Sequence, residues 1–264
     1  MFDHFPKARP SLPEAIARLY EQQYKSNRDG GSTAASLAQK MEAWMHRQVA
    51  NLAIGAAGNH AAPIPNPQSP IPNPQSPIPN TLELGAGTLN QLQYEPTSQN
   101  YDIVEPFQAL YTTSPLLTRV RHQYASIHEI LGEAQYDRIT SIAVLEHICD
   151  LPALVARSGL LLQPQGIFQA AIPNEGTWLW TLGWKLTTGI EFRIKHKLDY
   201  GKLMRHEHVN TADEIEEVLH YFFKRVRCKV FGISKSTAFY RYYACAEPRR
   251  DRCLTFAPSA GKAL

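Results

Sequence analysis

Residues 81–90 read TLELGAGTLN, and the fold turns on what happens at their centre. The first four residues form a short strand, and GAGTLNQL breaks away from it toward a helix. Gly85 and Gly87 stand where one gives way to the other. Lacking a Cβ, they permit a tight turn and the close approach of a ligand. The next strand, YDIVEP, closes on Glu105, 20 residues after Gly85. An acid at that place can accept both hydroxyls of a ribose, so the pair points to a nucleoside-containing ligand. The competing reading is an ordinary strand-to-helix turn beside an unrelated surface acid.

Downstream the rhythm persists. A helix is expected around FQALYTTSPLLTRVRHQY and a strand at ASIHEI. YDRITSIAV is a strand, LEHICDLPALVARSGLLL a helix and GIFQAAIPN a strand. Strands and helices alternating at this spacing predict an α/β fold with a mostly parallel, doubly wound sheet. Thr211 and Glu214 form a capping box that opens the helix ADEIEEVLHYFF. RCKVFGIS and AFYRYYACAE follow with a short link between them, which predicts an antiparallel hairpin. DRCLTFAPSAGKAL, residues 251–264, reads as a flexible tail.

Upstream, SLPEAIARLYEQQY reads as a helix with Ser11 and Glu14 at capping-box spacing. STAASLAQKMEAWMHRQVANL is a second, with Leu37, Met41, Trp44, Met45 and Leu52 at helical spacing. Together they make a helical cap over 1–62. Residues 63–80 repeat PIPNPQS, where proline excludes helix and central strand and leaves exposed polyproline II. The expected role is a linker; docking of an SH3-like domain through Pro67-Gln-Ser-Pro70 is the alternative. Residues 81–250 then form the main domain.

Two fingerprints compete for the glycine turn. The dinucleotide pattern GxGxxG requires glycine at 90, where Asn90 stands. The other places an acid two residues before the first glycine, as in Glu83-Leu-Gly85-Ala-Gly87. TLELGAGTLN, YDIVEP, YDRITSIAVLEHI and LLQPQGIFQAAIPN, in this order, resemble the class I S-adenosylmethionine-dependent methyltransferases over residues 81 to 247. The resemblance implies S-adenosylmethionine as cofactor and a seven-stranded sheet, Rossmann-like, with an antiparallel last strand. It implies that Glu83 and the turn Gly85-Ala86-Gly87 hold the methionine end, and that Glu105 holds the ribose. Residues 127–129, with His128 among them, would flank the adenine. Residues 141–143, including Ser141 and Ala143, would line the methyl group. Leu89 departs from the family, which often carries a third glycine there.

The cofactor brings the activated methyl, so the protein mainly positions and desolvates. A hydroxyl acceptor also needs a base. The candidates are His147, just beyond the fourth strand, and His206 and His208, which flank Glu207 in MRHEHVN. The last trio could hold a metal but lacks a matched partner motif, so no metal is expected. The connection over about 175–210 joins the aromatic WLWTLGW to the basic FRIKHKLDYGKLMR. It reads as a lid over a phosphorylated or carboxylated small acceptor. A patch on a membrane reaching a lipid-linked acceptor, or an RNA contact, are the alternatives. The leading expectation is an enzyme that methylates a hydroxyl or amine of a small molecule. The other class is a binding module, either a catalytically silent cofactor sensor or a docking protein.

Composition bounds the rest. The 264 residues carry a net charge of +3, too small to argue for nucleic acid, and 44% apolar residues, enough for a full core. No apolar run suits a membrane span or a signal peptide. Cys149, Cys228, Cys245 and Cys253 form no CxxC pair, so reduced thiols and a cytoplasmic setting are expected.

Overall fold

The computed structural model describes residues 2–18, 33–50, 80–97, 100–185 and 194–256. The proline repeat before Asn80, the first helix beyond residue 18, Leu52, the middle of the expected lid and residues 257–264 lie outside them.

Helix α1 (Thr33–Ala50) precedes strands β1 (Asn80–Leu84), β2 (Asn100–Val104), β3 (His122–Tyr124) and β4 (Tyr136–Ile142). Helix α2 (Leu151–Leu161) leads into β5 (Leu162–Pro173). Helices α3 (Trp178–Trp184), α4 (Tyr200–Glu207) and α5 (Ala212–Phe222) follow, then β6 (Phe223–Phe231), β7 (Tyr240–Pro248) and α6 (Arg250–Phe256). The seven strands lie in the order β3-β2-β1-β4-β5-β7-β6. All neighbours from β3 to β5 are parallel, and β7 runs against both β5 and β6. The order reverses between β1 and β4, and ligands of such sheets bind beyond the strand ends at that reversal.

Period-two alternation gives the sheet two apolar faces. Leu82, Leu84, Phe168, Ala170, Ile172, Tyr243 and Cys245 turn to one side and pack with α2 and α5. Ala171, Tyr242 and Ala244 turn to the other, where Met45 and Val49 of α1 cover them. The α1 helix therefore serves as a layer of the sheet. It is fastened by buried polar groups. His46 Nδ1 meets Gln91 Oε1 at 2.8 Å, and Gln91 in turn bonds Glu95. Arg138 donates to Glu95 Oε2 at 2.5 Å and to the carbonyl of Val49 at 3.5 Å. Each charge has an opposite partner, the condition under which burial is tolerated.

Several expected elements are shorter or displaced. The helix after the glycine turn is a 3₁₀ turn, Asn90–Gln93. Leu89 is left-handed before it, and Pro96 bars helical geometry at the residue ahead of itself. The helix expected before β3 breaks at Ser114, held extended by Pro115, and resumes as the 3₁₀ turn Pro115–Arg119. The third strand comes earlier than ASIHEI. Asp102 takes both the Arg121 guanidinium and the backbone N–H of His122, which sets β3 at 122–124. Ser126 then caps a 3₁₀ turn at Ile127–Glu129. Near the start of the chain the helix begins at residue 14, and Glu14 pairs with Arg18. The segment expected as a flexible tail instead begins with α6. Cys253 is buried against α2, where a Cβ on Gly159 would stand 2.6 Å from its Sγ, and Phe256 joins the rings of Phe2, Tyr221 and Phe222. The hairpin and the Thr211–Glu214 capping box are as expected. All four cysteines are free, and no described helix is long and apolar enough to cross a membrane.

Candidate active site

The turn after β1 is built from backbone. Gly85 donates to Val104 O at 2.8 Å and so continues the β1–β2 ladder. Gly85 and Gly87 have φ of +68° and +52°. Their reasons for being glycine differ. A Cβ on Gly85 would lie 2.3 Å from Val144 Cγ2, whereas one on Gly87 would meet nothing within 4 Å. The first lets the loop after β4 cross the turn, and the second faces open space. Leu89 holds φ +67° with its side chain fully buried, so the chain follows a glycine-like path without the glycine.

Glu105 closes the turn. Its Oε2 accepts the N–H of Gly87 at 2.8 Å and its Oε1 accepts that of Phe107 at 2.9 Å. An ionised carboxylate has about four acceptor positions, so capacity remains for two further donors. Ala86 is buried in the small core beneath the turn with Leu89, Leu92 and Tyr101. Glu83 lies within the sheet, where Tyr101 O–H donates to its Oε2 at 2.8 Å. Burial pushes the Glu83 carboxyl up to about 8, against the lowering effect of that bond. His128 is exposed on the turn after β3, and burial of part of its ring together with Arg157 lowers its pKa. Ser141, next to last in β4, has a buried Oγ with no hydrogen-bond partner among the described residues. Ala143 is left-handed, at φ +53°. An open glycine cradle, spare carboxylate capacity and an unused hydroxyl fit a ligand with a ribose and an amino-acid end.

The second half of the site is made of side chains. His147 Nδ1 lies 2.9 Å from the Glu207 carbonyl, which can only accept, so that nitrogen carries the proton. His147 Nε2 then faces Glu146 Oε1 at 3.8 Å. His208 Nδ1 donates to Glu175 Oε2 at 2.7 Å, and Trp180 Nε1 donates to the same oxygen at 2.5 Å. The rings of His147 and His208 meet edge to face, 4.8 Å between centroids. Burial pushes Glu146 up to about 7 although His208 opposes it. Burial lowers His208, but its bond to Glu175 and the nearby Glu146 outweigh this and leave it raised.

Backbone bonds hold the cluster together. Val209 and Asn210 donate to Glu146 O, and the buried Asn210 amide donates to Leu145 O and Ile148 O. Arg9 reaches the carbonyls of His147, His206 and Glu207 from the N-terminal segment. His206, by contrast, points its Nδ1 to Pro10 O at 2.6 Å. The structure thus brings His147 and His208 together and turns His206 aside. Sequence reading passed over Glu146 and Glu175. Glu146 adjoins His147 in LEHI, a signal that was available; Glu175 carried none.

No family model and no curated protein matches the chain. Among solved structures, the 1,6-didemethyltoxoflavin-N1-methyltransferase of Burkholderia thailandensis, with 1,6-didemethyltoxoflavin and S-adenosylhomocysteine bound, is similar at 16% identity and TM-score 0.52. The similarity covers 91% of this chain and 94% of that one. The chain has the class I methyltransferase fold. A possible exported protein from Bordetella parapertussis shares this fold at 11% identity and TM-score 0.50, over 88% of this chain and 79% of its own. The CurJ carbon methyltransferase is similar at 20% identity and TM-score 0.48 over 66% of this chain, which spans 50% of its length. The methyltransferase fold accounts for the strand order and for the glycine turn at the end of β1.

Proposed function

We propose that the chain is an S-adenosylmethionine-dependent methyltransferase of a small-molecule acceptor bearing a hydroxyl or amine. The observation that carries this is the Glu105 carboxylate, bonded to the N–H of Gly87 where the cradle is open, on the turn that the loop after β4 crosses at Gly85. The Burkholderia enzyme has S-adenosylhomocysteine and 1,6-didemethyltoxoflavin bound on the same fold. When bound, the cofactor supplies a methyl on a sulfonium, activated for in-line displacement.

The residues then have distinct tasks. Glu105 accepts the ribose hydroxyls with its remaining lone pairs. Glu83 and the Gly85–Gly87 turn hold the methionine end, with Ser141 Oγ as an added donor. Residues 127–129 flank the adenine. The helices between 175 and 210 exclude water above the acceptor. His147 and His208 each have Nδ1 committed and so present Nε2 to the acceptor's proton. A protein that only senses the cofactor would share the first tasks and lack the last.

Calorimetry with S-adenosylhomocysteine tests the reading. Glu105→Ala leaves two ribose hydroxyls without acceptors, a loss of about 1–3 kcal/mol, or roughly 5- to 150-fold in affinity. Equal affinity in variant and parent removes the ribose assignment, and tight NADH binding by the parent removes the methyltransferase.

A further inference from the structure

We propose that Glu146, His147 and His208 form a binding site for a divalent first-row metal ion, zinc foremost, and that the acceptor is a hydroxyl compound whose oxygen completes its coordination. The acceptor half of this proposal rests on the methyltransferase reading above; the metal half stands on geometry.

One ligand atom from each of the three residues lies within 4.8 Å of the other two. Ligands at about 2.1 Å from a tetrahedral ion are separated by about 3.4 Å, so modest side-chain rotations close the set. The tautomers are already correct. His147 Nδ1 is committed to a backbone carbonyl and His208 Nδ1 to a carboxylate. Both leave Nε2 as the ligating nitrogen, and a carbonyl or carboxylate behind the ring is the usual outer partner of a metal-bound imidazole. The third ligand supplies an independent sign. Glu146 is 1% exposed, and its Oε2 is buried with no hydrogen-bond partner among the described residues. Its other oxygen, Oε1, lies 3.8 Å from His147 Nε2, and His208 completes the group. A buried carboxylate oxygen without a partner is costly and is ordinarily matched by a cation or a metal. The loop around it is held by the Asn210 amide and Arg9, so the ligands come from a fixed frame.

Two imidazoles and one carboxylate suit zinc and similar borderline ions, whereas magnesium and calcium take oxygen ligands. Three protein ligands leave positions open for substrate oxygen. Bound there, an acceptor hydroxyl has its pKa lowered and gives its proton to solvent. Its oxygen forms the new bond to the methyl carbon as the carbon–sulfur bond breaks, and that electron pair stays on sulfur as a neutral thioether. No atom changes oxidation state in a way that requires an outside electron source. In this state the imidazoles are ligands, and neither takes the acceptor's proton. That replaces the base role assigned above and selects oxygen over nitrogen as the nucleophile.

The full chain is treated with chelator and titrated with Zn²⁺ by calorimetry, and with Co²⁺ while its visible absorption is followed. One tight equivalent of zinc and a cobalt spectrum of low coordination number are expected. Glu146→Gln and His208→Ala should each lower zinc affinity by more than the roughly 10- to 100-fold that loss of an outer partner brings. His206→Ala should leave it within about twofold, since that ring faces Pro10. S-adenosylhomocysteine affinity, read on the same samples, should hold and shows that each variant is folded. If a variant fails to fold, the parent's stoichiometry and cobalt spectrum decide alone. A parent that binds no zinc, or binding that survives in both ligand variants, overturns the metal site. Zinc binding lost with S-adenosylhomocysteine retained leaves the methyltransferase intact; the reverse leaves the metal and removes its acceptor.

Discussion

The turn after β1 and the cluster beyond β4 adjoin at the same edge of the sheet, yet they are built in opposite ways. The turn is a backbone structure closed within one βxβ stretch, by Gly85 on Val104 and Gly87 on Glu105. The cluster is a side-chain structure drawn from distant segments. Arg9, residues 145–149 and residues 206–210 meet there through carbonyls and the Asn210 amide, and Glu175 holds His208. A backbone site depends on what the chain can bend through. A side-chain site depends on what the tertiary fold happens to bring near.

The strongest way to break this contrast is at Gly85, where the two constructions touch. Alanine there combines left-handed strain with a contact of 2.3 Å against Val144, two residues before Glu146. Left-handed strain is about 1–2 kcal/mol and overpacking about 1–3, so Gly85→Ala should destabilise by about 2–5 kcal/mol. Gly87→Ala carries only the strain, about 1–2 kcal/mol, since its Cβ meets nothing. Its methyl instead enters the open cradle, so S-adenosylhomocysteine affinity should fall while the fold holds. Urea unfolding with calorimetry on both variants separates the two glycines. Equal stability losses would show that Val144 yields freely and that the turn and the cluster are mechanically independent.

The same contrast explains what was legible in the sequence. The glycine turn, the doubly wound sheet and the closing hairpin were readable because each rests on a short-range pattern of strand, turn and helix. The displaced pieces were lost to particular residues that compete with propensity. Pro115 and Pro96 cut two expected helices, and Asp102, by gripping Arg121 and the His122 amide, moved the third strand forward. Cys253 and Phe256 turned an apparent tail into a helix by packing on α2 and the Phe222 ring. Of the histidines, His147 and His208 converge while His206 does not. No local pattern distinguishes them, because Pro10 and Glu175 decide their directions from far along the chain.

Leu89 sharpens the contrast from the other side, since it is a side chain placed where a backbone turn calls for glycine. It holds φ +67° and is fully buried with Ala86, Leu92 and Tyr101. Truncation to alanine keeps the strain and opens a cavity, a loss of about 2–5 kcal/mol. Glycine removes one more buried carbon, about 0.8 kcal/mol, and adds its own entropy of about 0.5–1, but releases about 1–2 kcal/mol of strain. Leu89→Gly should therefore be less stable than the parent but about equal to Leu89→Ala, where glycine is ordinarily the weaker. Chemical denaturation of the three proteins measures this. A glycine variant weaker than alanine would mean that the backbone relaxes out of the left-handed region once the side chain is gone.

The smallest effect is expected where neither construction is touched. Residues 51–79 join α1 to β1 and contain both complete PIPNPQS units, read from the sequence as an exposed linker. Removing residues 63–76 takes this connection from 29 residues to 15 and leaves PIPN before β1. Fifteen extended residues reach about 50 Å, well beyond the radius of gyration of roughly 16 Å expected for some 200 residues. Reach is therefore not limiting. Placement of α1 is set at its destination, by Met45 and Val49 on the sheet and by His46 on Gln91. Halving the connection lowers its closure entropy, a gain of about 0.6 kcal/mol. The deletion variant should be equal to the parent or more stable by that amount, with S-adenosylhomocysteine affinity unchanged. A variant that folds but no longer binds S-adenosylhomocysteine would show that the length of the repeat positions α1 against the turn. The backbone-built half of the site would then depend on a distant segment, as the side-chain half does.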